Sequence, residues 1–209
     1  MTVKVVSFDL DGTLVKNNFV ERFWFGEVPE MYSEVHGIEF QESLRRVKKA
    51  YKEVGPEDIR WYQPAYWFER FDLNKSPEDV VEDMTEEVEY FNDALNVLDS
   101  LAEPLDLVVI TNSPRIFAEV QLERISDFFS KIYSCPSDLS EIKNKSGVYL
   151  QVCEDLGIEP FELIHVGDDS FHDYEVPEKV GINSFIVDRA REDGSEYKLT
   201  DLRDLLDVI

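Results

Sequence analysis

Short runs of apolar residues recur along this chain and alternate with longer stretches in which apolar positions have helical spacing. The runs are four to six residues long, which is typical of strands that are buried on both faces. They occupy residues 3–8, 105–110, 131–134, 162–166 and 183–187. Strands that alternate with helices predict an α/β fold, with a mostly parallel sheet between layers of helices.

Two helices are predicted between strands in the second half of the chain. The first covers Ile116 to Ser130, where apolar residues lie at positions 116, 117, 120, 125, 128 and 129. The second runs from Ser146 to Leu156, and Gly157 directly after it is a typical helix end.

The segment between the first two predicted strands departs from this alternation. Residues 17–92 contain no convincing strand, and the pattern predicts helices over 29–37, 40–55 and 76–101. Ser76 is a typical N-cap with Pro77 at the first helical position. Because a crossover between parallel strands needs only one helix, most of this segment is predicted to be a separate helical insertion.

The insertion is rich in aromatic residues, which allow two interpretations. The cluster RWYQPAYWFERF at residues 60–71 either forms the core of the insertion or lines a substrate pocket. The pocket interpretation concerns Trp61, Tyr62, Tyr66 and Trp67. Residues 14–25 are expected to form a loop that closes over the site.

The net charge limits the partners of this chain. It contains 45 acidic and 21 basic residues, for a net charge of −24. Nucleic acid binding needs a basic surface, so the charge argues against a nucleic acid partner and also against an anionic membrane. A small anionic substrate is compatible with this charge only if a metal and local cations reverse the field at the site.

Other features of the sequence favour a cytoplasmic protein. No run approaches the ~18 apolar residues that a membrane span needs. The N-terminus begins with a strand-like segment and does not resemble a signal peptide. Cys135 and Cys153 give no disulfide framework and are expected to be inert thiols.

Two aspartates directly follow the first predicted strand, in the sequence FDLDGT at residues 8–13. Alternate residues of a strand point to the same side, so Asp9 and Asp11 are expected to face one pocket, about 6.6 Å apart along the chain. Gly12 then allows a tight turn. In α/β sheets, ligands bind beyond the carboxyl ends of the strands, which is where this pair lies.

Polar residues follow three other predicted strands in the same manner, so we expect them to reach the same edge of the sheet. They are Thr111 and Asn112 after the second strand, Lys143 in the loop after the third, and Asp168, Asp169 and Asp173 after the fourth.

A group of carboxylates at one edge of the sheet predicts a metal site. Without a cation the carboxylates would repel one another, and some would stay protonated. Mg²⁺ prefers oxygen ligands and keeps several waters. The sequence therefore predicts a Mg²⁺ site formed by Asp9, Asp11 and Asp168, to which a substrate phosphate adds another ligand.

In this combination and order, the motifs resemble those of the haloacid dehalogenase superfamily in its phosphatase branch. The resemblance covers the whole chain through FDLDGT, ITN, a lysine and VGDDSFHD. DxDGT with a distant GDxxxxD is highly specific, whereas the two middle motifs are weak alone. The resemblance implies a Rossmann-like three-layer core over 1–16 and 93–209, with an all-helical cap of the first type at 17–92.

The resemblance also implies catalytic roles. Asp9 would be the nucleophile that forms an aspartyl-phosphate, and Asp11 would be the general acid and then the general base. Lys143 would neutralise charge on Asp9 and the phosphoryl group. Asp168 would bind Mg²⁺, with the backbone carbonyl of Asp11 as another ligand.

Four further residues would support these groups. Thr111 and the Asn112 amide would hold phosphate oxygens, and Asp169 and Asp173 would orient the metal ligands from outside. By contrast, His165 is expected in the core, and His36 and His172 at the surface, and the spacing of the histidines suggests no zinc site.

The expected activity is hydrolysis of a small phosphorylated metabolite, and three alternatives stay open. A phosphomutase would use the same intermediate, and a silent binding or regulatory protein could share the scaffold. A dehalogenase of this superfamily would lack the acid at Asp11, so its presence favours phosphate ester chemistry. In the stretch EIKNKSGVY, Lys143 is favoured over Lys145 as the active-site lysine by its distance from LGIEP.

Overall fold

Six parallel strands form a single sheet in the order β3-β2-β1-β4-β5-β6. The structure is a computed structural model that describes residues 2–190 and 197–209. The strands are β1 (Val5–Phe8), β2 (Asp106–Thr111), β3 (Lys131–Ser134), β4 (Leu163–Gly167), β5 (Asn183–Val187) and β6 (Lys198–Leu199). The predicted α/β, Rossmann-like fold is confirmed, and the two-residue strand β6 is an addition to the five predicted strands.

Helices connect the strands and cover both faces of the sheet. Their bounds are α1 (Asn18–Arg22), α2 (Val28–His36), α3 (Phe40–Val54), α4 (Pro64–Arg70), α5 (Pro77–Asp83), α6 (Asn92–Leu101), α7 (Arg115–Leu122), α8 (Ser146–Leu156) and α9 (Val176–Glu178). None of the helices in the described ranges is long and apolar enough to cross a membrane.

The alternating direction of strand side chains divides the core into two layers. Val6 and Phe8 of β1 pack on one face of the sheet, in a cluster that includes Leu98 of α6. Val5 of the same strand packs on the other face, with Val152 of α8. Because both faces are covered, the strands are apolar on both sides, as their near-continuous hydrophobic runs predict.

The helices between β1 and β2 have a hydrophobic cluster of their own. Trp67 and Phe23 are fully buried in it, and Tyr51 is nearly so. Phe117 of α7 joins the same cluster and fastens the helical segment to the sheet-bearing part of the chain. The proposed boundaries of a cap at residues 17–92 stay a prediction.

The prediction of one helix over residues 76–101 is wrong. Helix α5 ends at Asp83, and α6 begins only at Asn92. Between the two helices, Tyr90 bridges Val15 in an extended arrangement, and the Phe91 amide donates to the Leu14 carbonyl. Residues 89–91 therefore form hydrogen bonds with the segment after β1 instead of the hydrogen bonds of a continuous helix.

Two other predicted elements differ from the structure. The helix expected to end at Ser130 stops at Leu122, because Ile125 is buried against the sheet and the chain must turn to enter β3. The loop expected at residues 14–25 contains α1, whose Phe19 is buried in the insertion.

Candidate active site

A cavity of about 300 Å³ lies at the carboxyl ends of the central strands. The parallel register aligns Phe8 of β1 with Val109 of β2 and Val166 of β4, so the residues that follow these strands converge there. The predicted site residues that line the cavity are Asp9, Asp11, Thr111, Asn112, Lys143, Asp168, Asp169 and Asp173. All eight residues selected from the sequence therefore lie at one site.

Lys143 is at the base of this cavity and is only 2% exposed. Its Nζ lies 2.5 Å from Oδ1 of Asp9 and 2.6 Å from Oδ1 of Asp173, and it also donates to the Ile110 carbonyl at 3.2 Å. Burial alone would lower the pKa of Lys143, but the two carboxylates raise it well above its usual value. Lys145 instead points to solvent and pairs with Glu141. The structure thus places Lys143 against Asp9.

Asp173 is fully buried and connects the lysine to the core. Its Oδ1 lies 3.1 Å from Nε2 of His165, whose Nδ1 is 2.8 Å from the Ser7 hydroxyl. Burial would raise the pKa of Asp173, but Lys143 and His165 hold it well below its usual range. His165 is a buried core residue, as predicted, and it also fixes the orientation of Asp173.

Asp168 approaches the turn after Asp9 so closely that only glycine fits there. A Cβ atom on Gly12 would lie 2.1 Å from Oδ2 of Asp168, and the φ angle of Gly12 is +79°. Burial of the carboxyl, together with the charge of Asp9, raises the pKa of Asp168 to about 8. A carboxyl held in this way favours either a proton or a cation.

Three carboxylates at the base of the cavity could hold a metal ion together. Oxygens of Asp9, Asp168 and Asp173 lie within 4.8 Å of one another. The carboxylate of Asp11, which the sequence places among the metal ligands, is not in this group. Its Oδ1 accepts a hydrogen bond of 2.6 Å from Nε2 of Gln121.

Gln121 lies on α7, is fully buried, and is not anticipated by the sequence analysis. Burial raises the pKa of Asp11 to about 6, and the hydrogen bond from Gln121 opposes that rise. One signal was present in the sequence: Gln121 occupies the buried side of α7 with Phe117, Ala118 and Leu122. A polar residue at such a position needs a partner, and here the partner is Asp11.

Thr111, the last residue of β2, and Asn112, which follows it, are each fixed by a hydrogen bond. The Thr111 hydroxyl accepts a hydrogen bond from the Ser113 amide at 3.0 Å. The Asn112 side-chain oxygen accepts one from the Lys143 amide at 2.9 Å. Both residues line the cavity, and the Asn112 side chain fixes the loop that carries Lys143.

Asp169 and His172 lie at the rim of the cavity. Oδ1 of Asp169 accepts hydrogen bonds from the amides of Phe171 and His172 and so caps the turn after β4. The backbone amide of Asp169 donates to Asp173 at 3.0 Å. The surface position expected for His172 is wrong, because its ring packs beside Asp169 and lines the cavity.

The helical segment supplies the wall opposite the carboxylates. Trp61 and Tyr62 line the cavity, as the pocket interpretation of the aromatic cluster predicts. Trp67 instead belongs to the core of the insertion, and Tyr66 packs against that core. Trp24 of the segment after β1 also lines the cavity, although the sequence analysis did not single it out.

Arg189 fastens the turn that carries Gly12, and the sequence analysis gives no signal for it. Its guanidinium donates to the carbonyls of Gly12 and Thr13, each at 3.0 Å. The same group forms two hydrogen bonds to Asp93 at the start of α6 and lies 3.6 Å from the centre of the Phe91 ring. These hydrogen bonds connect the turn after Asp9 to the segment that follows β5.

Comparison with known proteins agrees with this architecture. The family model for haloacid dehalogenase-like hydrolases matches residues 3–181. The GMP/IMP nucleotidase YrfG of Escherichia coli is 33% identical over 72 residues, which are 34% of this chain and 32% of that protein. The match thus spans about a third of the length of this curated relative.

Two solved structures share the fold over nearly the whole chain. A HAD phosphatase from Thermococcus onnurineus has a TM-score of 0.87 at 24% identity, over 99% of this chain and 97% of that one. The putative HAD-hydrolase YfnB from Bacillus subtilis, solved with bound magnesium, has a TM-score of 0.69 at 15% identity, over 100% and 99% of the two chains.

Proposed function

Because the chain belongs to the haloacid dehalogenase-like hydrolase family, we propose that it is a Mg²⁺-dependent phosphatase that forms an aspartyl-phosphate on Asp9. The observation that supports this most strongly is the pairing of Asp9 with the buried Lys143, at 2.5 Å, in a cavity that Asp11 and Asp168 also line. A carboxylate beside a fixed cation is positioned to attack an anionic phosphoryl group.

The residues present fit a hard divalent cation. Asp9 and Asp168 offer carboxylate oxygens, and the pKa of Asp168 is raised by burial and by the negative charge of Asp9, which a cation would offset. We assign these two residues and the Asp11 carbonyl as ligands of Mg²⁺, and Asp173 as the residue that holds Lys143. When bound, Mg²⁺ would neutralise charge on the carboxylates and on the phosphate oxygens.

In the first step, a carboxylate oxygen of Asp9 attacks phosphorus, and the bond to the ester oxygen breaks. Asp11 donates its proton to the departing oxygen, so the leaving group departs as a neutral alcohol. Its pKa of about 6 keeps part of Asp11 protonated near neutral pH. Lys143 stabilises the negative charge that is shared between Asp9 and the phosphoryl group.

In the second step, water attacks the phosphorus of the aspartyl-phosphate, and Asp11, now a carboxylate, takes a proton from that water. The bond between phosphorus and Asp9 breaks, which restores the carboxylate and releases inorganic phosphate. At the end of β2, the side-chain hydroxyl of Thr111 and the backbone amide of Asn112 would hold phosphate oxygens. The helical segment at 17–92 would act as a cap that limits access of bulk water.

Nucleoside monophosphates are one candidate class of substrate. The support for them is the similarity to the GMP/IMP nucleotidase YrfG, which covers about a third of each protein. A small phosphate ester of this kind fits the cavity better than a folded phosphoprotein, because the aromatic wall of the insertion stands opposite the carboxylates.

The proposal is tested by assaying release of inorganic phosphate from p-nitrophenyl phosphate and from a panel of phosphorylated metabolites, with and without Mg²⁺. Hydrolysis that requires Mg²⁺ is expected for the wild type, and Asp9→Asn should abolish it. Absence of turnover with every ester would favour the silent binding protein. Activity that depends on an added sugar bisphosphate would favour the phosphomutase.

A further inference from the structure

One wall of the cavity is acidic and the other is aromatic, and this difference limits which leaving groups can bind. Resting on the phosphatase function proposed above, we infer that the natural substrate is the phosphate ester of an uncharged alcohol that carries a flat, largely apolar ring. The ring would lie against Trp61 and Trp24, while the phosphate lies beside Asp9.

The charges around the cavity disfavour a second anionic group on the substrate. Five aspartates line it, whereas Lys143 is the one Lys or Arg among its lining residues in the described part of the chain. An ammonium group has three donors. All three are engaged, by Asp9, Asp173 and the Ile110 carbonyl. A carboxylate or second phosphate on the leaving group would therefore meet no unengaged lysine or arginine on these walls.

His172 does not change this balance. Its Nδ1 lies 3.1 Å from Oδ1 of Asp169, so a carboxylate already faces this side of the ring, and its buried Nε2 has no hydrogen-bond partner among the described residues. Arg60, which directly precedes Trp61, forms two hydrogen bonds from its side chain to Asp58 and does not line the cavity.

The opposite wall offers apolar surface that is already fixed in place. Trp24, Trp61 and Phe117 line it. The ring of Tyr51, which is buried behind them, contacts both indoles edge to face, at 5.6 Å from Trp24 and 5.9 Å from Trp61. Phe117 lies 5.8 Å from Trp24. Rings that are held in this way can stack on a flat ligand without loss of side-chain freedom.

The volume of the cavity and the hydroxyl group of Tyr62 also fit a substrate of this kind. A cavity of about 300 Å³ lies at the lower end of the range for small-molecule sites, so it accommodates more than a phosphoryl group. Burial raises the pKa of Tyr62 to about 12, so its hydroxyl stays protonated. Within the described ranges this hydroxyl makes no hydrogen bond, so it can donate to a polar atom of the leaving group.

The test compares three primary alkyl phosphates, whose leaving groups have similar intrinsic reactivity. They are 2-phenylethyl phosphate, which carries a ring, glycerol 1-phosphate, which is uncharged and has no ring, and 3-phosphoglycerate, which carries a carboxylate. We expect kcat/KM to be highest for the ring-bearing ester, by about 10-fold or more, since stacking on an aromatic side chain is worth roughly 1–3 kcal/mol. The anionic ester should be the poorest.

Variants separate the role of the indole from general damage. Trp61→Ala should lower kcat/KM for 2-phenylethyl phosphate about 10-fold and leave glycerol 1-phosphate within about twofold, whereas Trp61→Phe should keep most of the preference. Phe40→Ala removes an exposed ring of the same insertion that does not line the cavity, and should change neither value.

A charge substitution tests the other half of the inference. Asn17 is exposed and lines the cavity, so Asn17→Arg adds a cation there and should raise kcat/KM for 3-phosphoglycerate selectively. Wild-type enzyme that hydrolyses all three esters equally, or a Trp61→Ala effect that is equal for all, would overturn the inference and leave the phosphatase proposal intact. No hydrolysis of any ester by the wild type would instead overturn both.

Discussion

The side-chain amide of Gln121 donates a hydrogen bond to the carboxylate of Asp11, with 2.6 Å between Nε2 and Oδ1. Gln121 is fully buried, so the bond is shielded from water and holds Asp11 in one orientation. Its own carbonyl oxygen lies 3.5 Å from the Ser113 hydroxyl, which fixes the direction of the amide. An acid that must reach a departing oxygen depends on such positioning.

Gln121→Leu is expected to weaken general acid catalysis by Asp11. The substitution keeps the volume of the side chain but removes the donor. We expect kcat for an alkyl phosphate to fall by about 10- to 100-fold, which is part of the ~10²–10⁴-fold contribution of a positioned acid. The loss should be smaller for p-nitrophenyl phosphate, whose leaving group needs no proton. Equal losses for both esters would show that Gln121 has only a structural role.

Lys143→Met is expected to remove both activity and stability. The substitution leaves the buried carboxylates of Asp9 and Asp173 without their cation. Breaking a buried pair typically costs about 3–5 kcal/mol, which denaturant unfolding in the absence of metal would measure. Lys145→Met is the matched control, since that side chain is exposed and pairs with Glu141. Retained turnover in Lys143→Met would contradict the proposed role.

Gly12→Ala is expected to disrupt the site beyond the cost of its backbone conformation. A Cβ atom there would lie 2.1 Å from Asp168, whereas at Gly37 it would meet nothing within 4 Å. Both glycines have positive φ, so both substitutions carry the left-handed penalty of about 1–2 kcal/mol. Only Gly12→Ala should also weaken Mg²⁺ binding, which calorimetric titration would measure. Equal Mg²⁺ affinity in the two variants would argue against the close approach of Asp168.

Mg²⁺ is expected to stabilise the folded protein through Asp168. A ligand at 100 times its Kd adds about 2.7 kcal/mol to the free energy of unfolding, which appears as a rise in Tm. Asp168→Asn should abolish most of that rise, whereas Asp169→Asn should preserve it, because Asp169 caps the turn after β4. If Mg²⁺ raises the Tm of the Asp168→Asn variant as much as that of the wild type, other residues must bind the metal. Chelation by EDTA should reverse the wild-type effect.

Mg²⁺ affinity is expected to fall as the pH is lowered from 8 to 6. The pKa of Asp168 is raised to about 8, so at the lower pH this carboxyl holds a proton that an ordinary carboxyl would have lost. A cation must displace that proton, and its binding therefore weakens as pH falls. Conversely, the metal-free protein loses stability as pH rises through 8, because buried carboxyls must ionise.

The stabilisation by Mg²⁺ should therefore be larger at pH 8 than at pH 6. Calorimetry in two buffers of different ionisation enthalpy would count the protons released per ion. Binding without proton release between pH 6 and 8 would contradict the assignment of Asp168 as a ligand.

The strands and the carboxylate side of the cavity could be predicted because their determinants are local. Each of the five predicted strands is a largely apolar run, and residues such as Asp9 and Asp168 directly follow one. The convergence of strand ends then follows from the geometry of a parallel sheet. The 2.5 Å distance between Nζ of Lys143 and Oδ1 of Asp9 is one result of this convergence.

Other contacts depend on tertiary packing that no local pattern contains. The break between α5 and α6 arises because residues 89–91 pair with the segment after β1, far away in sequence. Arg189 reaches Gly12 and Asp93 only because β5 places it beside them. The orientation of Trp61 toward the cavity, and of Trp67 away from it, is likewise set by how the helical segment packs.

The position of β1 in the sheet has a consequence for biosynthesis. β1 precedes both of its neighbours by a long stretch of chain, because β2 begins at Asp106 and β4 at Leu163. While the ribosome completes the intervening chain, the three apolar residues of β1 (Val5, Val6 and Phe8) have no native partner strand on either edge. The cavity is lined by residues that follow β1, β2 and β4, so it can be completed only after β4 has been synthesised.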